Sequence, residues 1–280
     1  MTPTPAPTEP KTVLLVQRYD DGGSMVSLLG LVRTLDPKRY RPVVALRSPS
    51  RFTADLEAMG VPVEIMRPGP APAPTPLPPL VDRSGPERRR PWWQVLRREL
   101  RRTLRNDLPA ARWLRDVARR HEVDLVHANN DPRSNRASAL MAAVERRPLV
   151  LHIRNLQDLP RDLALWLDRR AVKRARRVIC IARAVEDRYL SPLPIAGRTV
   201  VVDNPIALDL AEQLAPPTVR ADLGLAEATP VVLAVGRLVR WKGQDVLVRA
   251  MAEVVERHPT ATVLFAGAPT GVRGAEFADE

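Results

Sequence analysis

The residues with the clearest chemical potential are two cations, Arg237 and Lys242. Arg237 follows the apolar run Val231–Val235 and Gly236, while Lys242 and Gly243 open a segment with helical spacing. A strand end and the start of the next helix meet at the edge where open α/β sheets bind ligands. Arginine offers a planar fork to phosphate oxygens, and lysine offers a mobile point charge. The spacing therefore predicts a diphosphate site, with two solvated loop cations as the alternative.

A second candidate is the turn Asp20-Asp21-Gly22-Gly23-Ser24, which follows the first apolar run and opens a helix. Free N–H groups and the helix dipole at such a junction favour an anionic or hydroxyl-bearing ligand. Gly22 and Gly23 would let a ligand approach the backbone, and Ser24 can cap the helix. The dinucleotide fingerprint G-x-G-x-x-G is absent, so a purely structural turn is the alternative.

Two histidines stand at or near the ends of apolar runs, His127 and His152. This is a usual place for a ligand contact in a parallel sheet, but a buried histidine with satisfied hydrogen bonds occupies the same position. His127 is either an acceptor-side residue or structural. Arg154, two residues after His152, could meet an anionic ligand, although nothing in its spacing sets it apart from the other arginines.

Nine short apolar runs would form the sheets that position these residues. They are Val13–Val16, Val43–Leu46, Val61–Ile65, Val123–His127, Leu149–Ile153, Val178–Ile181, Val200–Val202, Val231–Val235 and Ala261–Phe265. Continuous rather than alternating apolarity indicates strands that are buried on both faces. Segments with helical spacing separate most of them, so the pattern predicts an α/β fold with parallel sheets.

The runs also predict two domains. Residues 11–205 contain seven runs, and residues 206–280 contain two runs with one good helix, too few for a complete doubly wound sheet. We therefore expect the chain to be a fragment, or its second domain to be completed by something else. Many of the 29 prolines lie in residues 1–10, an expected disordered tail, and in 67–91, an expected linker.

Composition excludes several classes of protein. With 280 residues, 29 prolines and one cysteine, the chain is neither a disulfide scaffold nor a zinc-cluster protein, and no apolar stretch is long enough to cross a bilayer. No secretory signal is visible at the start. Cys180 lies within an apolar run and is expected to pack as a small hydrophobe, which fits a reducing cytosol.

Much of the net charge of +12 comes from residues 88–105, which contain eight arginines and one acidic residue, Glu99. Leucines recur there every fourth residue, at Leu96, Leu100, Leu104 and Leu108, within basic helices expected over 92–120. One interpretation is an amphipathic helix on an anionic membrane surface. The other is a helix that covers the sheet and exposes its arginines to water.

Gly236-Arg237-Leu238, followed after three residues by Lys242-Gly243, together with the Gly22-Gly23 turn, resembles the family-four retaining glycosyltransferases of GT-B architecture. Weaker points of similarity are Val123–His127, Leu151-His152, Val178–Ala182 and Asp203-Asn204-Pro205. The resemblance implies an α/β fold with an N-terminal Rossmann-like parallel sheet and a second Rossmann-like domain, incomplete here.

It also implies transfer of a sugar from a nucleotide diphosphate sugar to a glycan or lipid acceptor, with retention and with no metal or other cofactor. Arg237 and Lys242 would hold the donor diphosphate, beside Gly236, and stabilise the departing charge. His152 would contact the transferred sugar near its reacting carbon. Gly22 and Gly23 would line the acceptor side of the cleft, with His127 as a further binding candidate.

Two departures from the family pattern stand out. The family's two glutamates separated by seven residues are missing, since Glu276 and Glu280 are only four apart, and Asn204 is followed by Pro205 where the family usually has glycine. The alternatives are another GT-B enzyme, such as a nucleotide-sugar epimerase, and an arginine-rich nucleic-acid-binding protein. With 4% aromatic residues the latter is disfavoured, so no nucleic acid partner is expected. We expect a cytoplasmic protein, peripheral at the inner face of the membrane.

Overall fold

The computed structural model describes residues 9–18, 23–66, 91–155, 163–190, 193, 195, 197–205, 218–239 and 242–268. They divide into two compact units, one up to residue 205 and one from residue 218. The expected tail up to residue 8, the linker from 67 to 90, Gly22 and the acidic end of the chain lie outside the described residues. Among the helices within the described ranges, none has the length and apolarity needed to cross a bilayer.

The first unit is built on one parallel sheet. Its strands are β1 (Lys11–Gln17), β2 (Tyr40–Leu46), β3 (Val63–Ile65), β4 (Leu125–Asn130), β5 (Leu149–Ile153), β6 (Arg177–Cys180) and β7 (Thr199–Val201). They lie in the order β3-β2-β1-β4-β5-β6-β7, and every neighbouring pair is parallel. The order reverses between β1 and β4, as in doubly wound sheets, so the α/β prediction is confirmed.

Helices cover both faces of this sheet. They are α1 (Gly23–Thr34), α2 (Thr53–Ala58), α3 (Trp92–Arg102), α4 (Leu108–Arg120), α5 (Arg136–Val144), α6 (Leu163–Arg174) and α7 (Arg183–Leu190), and a π-helical turn, Thr103–Asp107, joins α3 to α4. Successive residues of β1 serve different faces: Leu14 packs with α4 and α5, whereas Leu15 packs with α1. Both are fully buried, which explains why the strand sequence is continuously apolar.

Two strands begin later than their apolar runs predict. The expected start at Val61 is Val63 in β3, and the expected start at Val123 is Leu125 in β4. The valines instead close the preceding helices, because the N–H of Val61 donates to the carbonyl of Leu56 and that of Val123 to the carbonyl of Ala118. A backbone donor used at a helix end is not available to a strand.

Cys180 behaves as the sequence predicts. The residue is fully buried in the core at the end of β6. Burial, with a smaller contribution from the Glu186 carboxylate, raises the pKa of its thiol to about 12. The thiolate is therefore scarce at neutral pH, and the side chain is chemically inert.

The second unit is smaller and far less buried. It consists of α8 (Val219–Asp222), β8 (Val231–Val235), α9 (Gln244–Arg257) and β9 (Thr262–Ala266), with β8 parallel to β9. Both strands coincide with their predicted runs to within one residue. Leu233 is 59% exposed and Val235 is 76% exposed, so the strand is apolar without being covered by the residues described.

Candidate functional site

The carboxyl edge of the first sheet is polar, although its strands are apolar. β1 ends in Gln17, β4 ends in Asn129 and Asn130, and β5 is followed by Arg154, all of them buried. Sequence reasoning missed the first three of these residues. The signal that could have found them is an amide side chain at the end of an apolar strand, repeated on two strands that prove to be neighbours.

A chain of hydrogen bonds links these side chains across the edge. The Gln17 amide donates to Ser24 Oγ at 2.8 Å, and the Asn129 amide donates to Gln17 Oε1 at 2.6 Å. Arg154 then donates from Nε to Asn129 Oδ1 and from Nη1 to Asn204 Oδ1, both at 2.6 Å. Neutral amides therefore fix the guanidinium in place between β4 and the segment that follows β7.

Asn130 has a backbone conformation that non-glycine residues seldom adopt. Its φ is 113°, at the point where β4 ends. Its carbonyl accepts the N–H of Arg154 at 2.7 Å, and its side-chain oxygen accepts the Asn155 amide at 2.7 Å. Such strain persists where the surroundings over-determine it, and it concentrates at functional sites.

The two histidines predicted from sequence lie together behind this edge. Nε2 of His127 is 3.3 Å from Nδ1 of His152, and the rings stack with centroids 5.5 Å apart. Burial, followed by the charge of Arg154, lowers the pKa of His127 to about 4, and the same causes lower that of His152 to about 3. Both imidazoles are therefore neutral near pH 7.

Arg154 sets the tautomer of His152. Its Nη2 lies 3.3 Å from Nδ1 of His152, and a guanidinium can only donate, so Nδ1 accepts and the imidazole proton resides on Nε2. Nε2 is buried and has no hydrogen-bond partner among the described residues. His152 therefore holds a buried N–H donor for which the described residues supply no acceptor, and a hydroxyl or phosphate oxygen could fill that role.

Arg154 is itself a buried cation with neutral neighbours. Burial lowers its pKa to about 10, so it stays charged at neutral pH. Its hydrogen-bonding side-chain partners in the described part of the chain are two asparagines and a histidine, none of them an anion. A buried cation held this way favours an anionic ligand.

The glycine turn is only partly described. Gly23 is the exposed first residue of α1, and a Cβ placed there would meet no atom within 4 Å. Gly22 lies outside the described residues. Ser24, predicted as a cap, lies inside the first turn of α1 and uses its hydroxyl for Gln17.

In the second unit, the end of β8 brings two backbones into close contact. Gly236 has a φ of 154° and donates its N–H to the Ala266 carbonyl at 2.9 Å. A Cβ on Gly267 would lie 1.9 Å from the Gly236 carbonyl oxygen, so only glycine fits at that position. The junction after β8 is therefore a compact turn built almost entirely from backbone.

The two predicted cations stand at this turn. Arg237 and Lys242 are both exposed, and the Lys242 side chain passes 3.8 Å from where a Cβ of Gly236 would lie, next to Arg237. Gly243 precedes α9 with a φ of 75°, and Gln244 donates to the Arg237 carbonyl at 2.8 Å. The cations thus share the end of β8 with the N-terminus of α9, which also favours anions. Their roles remain predictions.

Two family models match the chain. The model described as Glycosyltransferase Family 4 matches residues 22–210, well over half of the chain. The model described as Glycosyl transferases group 1 matches residues 217–279.

Individual proteins are similar to parts of this chain, and solved structures share its fold. A D-inositol 3-phosphate glycosyltransferase of Nocardia farcinica is 50% identical over 54 residues, which are 19% of this chain and 12% of that protein. The D-inositol 3-phosphate glycosyltransferase of Corynebacterium jeikeium is 44% identical over 60 residues, which are 21% of this chain and 14% of that protein. The crystal structure of Anabaena Alr3699/HepE in complex with UDP has a TM-score of 0.68 at 22% identity, covering 96% of this chain and 64% of that one. A UDP-GlcNAc 2-epimerase from Neisseria meningitidis, bound to UDP-GlcNAc, has a TM-score of 0.54 at 12% identity, over 96% and 69%.

Proposed function

Because this chain belongs to Glycosyltransferase Family 4, we propose that it contributes to transfer of a sugar from a nucleotide diphosphate donor to an acceptor. The matched stretches span 12% and 14% of the curated relatives, and the chain spans 64% of the HepE structure. The proposal therefore concerns what the residues present can do. We also propose that the transferred sugar keeps its anomeric configuration and that the transfer needs no metal ion.

The observation that carries the proposal is the turn after β8. Gly236 and Gly267 remove side chains from the carboxyl end of the strands, and Lys242 lies against Gly236 beside Arg237. A diphosphate placed there would meet two cations and the positive end of the α9 dipole. As the bond to the sugar breaks, negative charge grows on the leaving phosphate, and fixed positive charges stabilise it without a metal.

The first unit supplies different groups. The Nε2–H of His152 is a neutral donor suited to a sugar hydroxyl, and Arg154 is a buried cation with neutral partners. We assign these groups to the sugar and to an acceptor that carries a negative charge. The acceptor class is a glycan or a lipid headgroup, and the names of the two curated relatives, which include a phosphate, support the charge.

The donor part is tested by titration calorimetry with UDP, GDP and ADP in the presence of EDTA. We expect one nucleotide to bind, and Arg237→Ala or Lys242→Ala to weaken it roughly ten- to a hundredfold, since each removes a charge-assisted hydrogen bond. Arg257→Ala is the matched control, because Arg257 is exposed in the last turn of α9, at the end away from Lys242. Unchanged affinity in both variants would refute the site.

Transfer is assayed with nucleotide sugars that carry the nucleotide found to bind, and with a panel of glycans and lipids, each with and without phosphate. A transferred α- or β-linked product that keeps the donor's configuration supports the proposal. Isomerised nucleotide sugar without transfer would indicate an epimerase instead. Equal rates with charged and uncharged acceptors would contradict the role of Arg154.

A further inference from the structure

Helix α3 buries an acidic residue and leaves large apolar residues exposed. Val95 and Glu99 are buried, and Arg102 is largely covered. Five large apolar side chains are exposed on an adjoining side of α3 and of the π-helical turn that follows it: Trp92 (75%), Trp93 (45%), Leu96 (44%), Leu100 (55%) and Leu104 (54%). Leu96, Leu100 and Leu104 are therefore exposed and not part of the core.

Buried ion pairs explain this orientation. The Glu99 carboxylate binds Arg136 of α5, and Arg136 binds Asp168 of α6 at 2.8 Å. Arg133 also binds Asp168, at 3.1 Å, and the guanidinium of Arg102 donates to the Arg133 carbonyl. If Glu99 moved away, the buried Arg136 would keep one carboxylate instead of two, so these ion pairs oppose rotation of α3 about its axis.

The exposed surface of α3 is both apolar and cationic. Arg97, Arg101 and Arg105 are exposed beside the apolar row, while the two acids of this segment, Glu99 and Asp107, are buried. We call Trp92, Trp93, Leu96, Leu100 and Leu104, together with the three arginines, the α3 face. It presents hydrocarbon and positive charge to solvent without exposing an acid among its own residues.

We propose that the α3 face docks on the surface of an anionic lipid bilayer. Apolar side chains of an interfacial helix enter the boundary between headgroups and acyl chains, and arginines bind the lipid phosphates. Tryptophans at one end of the row are suited to the headgroup level. The assignment is independent of the proposed sugar transfer, since it uses no residue of the candidate site.

A lipid surface explains the face better than a nucleic acid does. Arginines would serve either partner, but stacking on bases uses aromatic rings spread among the cations. Here the two tryptophans are adjacent, and the row continues as three leucines, which have no role against bases or phosphates. The leucines require hydrocarbon, and only the bilayer supplies hydrocarbon and phosphate together.

The test is co-sedimentation of the whole chain with vesicles of phosphatidylcholine, with and without phosphatidylglycerol. We expect binding to the anionic vesicles at low salt and at least a tenfold smaller partition coefficient for Leu96→Gln/Leu100→Gln. Val26→Gln/Val144→Gln removes two similarly exposed apolar side chains of other helices and should bind as the parent does. Circular dichroism and thermal melting verify that each variant is folded.

Charge is tested separately. Arg97→Gln/Arg101→Gln/Arg105→Gln should reduce anionic binding at least tenfold and flatten its salt dependence, whereas Arg33→Gln/Lys38→Gln/Arg41→Gln, three exposed cations elsewhere, should not. Vesicles with brominated acyl chains should quench part of the tryptophan fluorescence of the parent protein. This quenching should be absent in the variant Trp92→Phe/Trp93→Phe. The proposal would be overturned if the chain did not bind anionic vesicles, or if the leucine variant bound them as well as its control variant does. Tighter, salt-sensitive binding to RNA would also overturn it.

Discussion

His127 and His152 are placed where a charge is hardest to accept. Each is buried, each lies near the other, and Arg154 already supplies a positive charge to the same cluster. Protonating either ring would put two cations side by side in a region from which water is largely excluded. Both histidines must therefore stay neutral for this edge of the sheet to remain folded.

This predicts a specific sensitivity to acid. The folded pKa values, about 4 and about 3, lie below the ordinary value of 6.5, so the contribution of the pair to stability is complete above pH 6.5. It declines as the pH falls from 6.5 towards 3, because over this range the unfolded chain binds protons that the folded chain does not bind. Two such groups give a limiting slope of about 2.7 kcal/mol per pH unit.

Urea unfolding at pH 7 and pH 5 measures the effect. The parent should lose free energy of unfolding between pH 7 and pH 5 because of both histidines. In His127→Gln one of them is removed, so this part of the loss should be about half as large. His258→Gln is the control, since this histidine is exposed in the second unit. An identical loss in the parent and in His127→Gln would contradict the assignment.

The same cluster shows the limit of prediction from sequence at this scale. The position of His152 near the end of β5 was readable because apolar runs mark the strands. The same expectation for His127 was wrong, because β4 continues to Asn130 and His127 lies within the strand. The hydrogen bonds of Arg154 to Asn129 and Asn204 were not, because they depend on which strands are neighbours and in what register. Arg154 looked like any other arginine until its partners were known.

At the scale of elements, helix α3 shows a similar contrast. The four-residue spacing of its leucines predicted a helix, and one is present. The buried side could not be predicted, because Glu99 is stabilised by Arg136, 37 positions along the chain. Sequence patterns treat a glutamate as a surface residue, and only a distant partner reverses that preference.

Breaking this ion cluster should therefore cost more than breaking a surface pair. We expect Glu99→Gln to lower the free energy of unfolding by about 3 kcal/mol, since it leaves Arg136 with one carboxylate instead of two in a buried setting. Glu145→Gln, whose partner Arg119 is exposed, is the control and should change little. The measurement is urea unfolding at pH 7, and equal losses in both variants would show that the cluster does not hold α3.

At the scale of the whole molecule, the two units differ in how their sheets are supported. The first has seven parallel strands with buried clusters on both faces, and its central strands β1, β4 and β5 each have two neighbours. In the second, β8 and β9 pair only with each other among the described residues, and β8 exposes Leu233 and Val235. Two-stranded sheets are marginally stable in water.

Hydrogen exchange followed by mass spectrometry should reveal this difference within one sample. Amides of β8 and β9 should exchange at least about a hundredfold faster than those of β4 and β5, because local opening costs least where few apolar contacts are lost. The nucleotide that binds in the calorimetric titration should then slow exchange at the turn from Gly236 to Gly243 and leave β4 unchanged, since ligand binding stabilises the structure that holds the ligand. Equal protection of β9 and β5 without ligand would contradict the first expectation. Slowing confined to β4 and β5 would locate the diphosphate away from Arg237 and Lys242, even if the protein proved to be an active transferase.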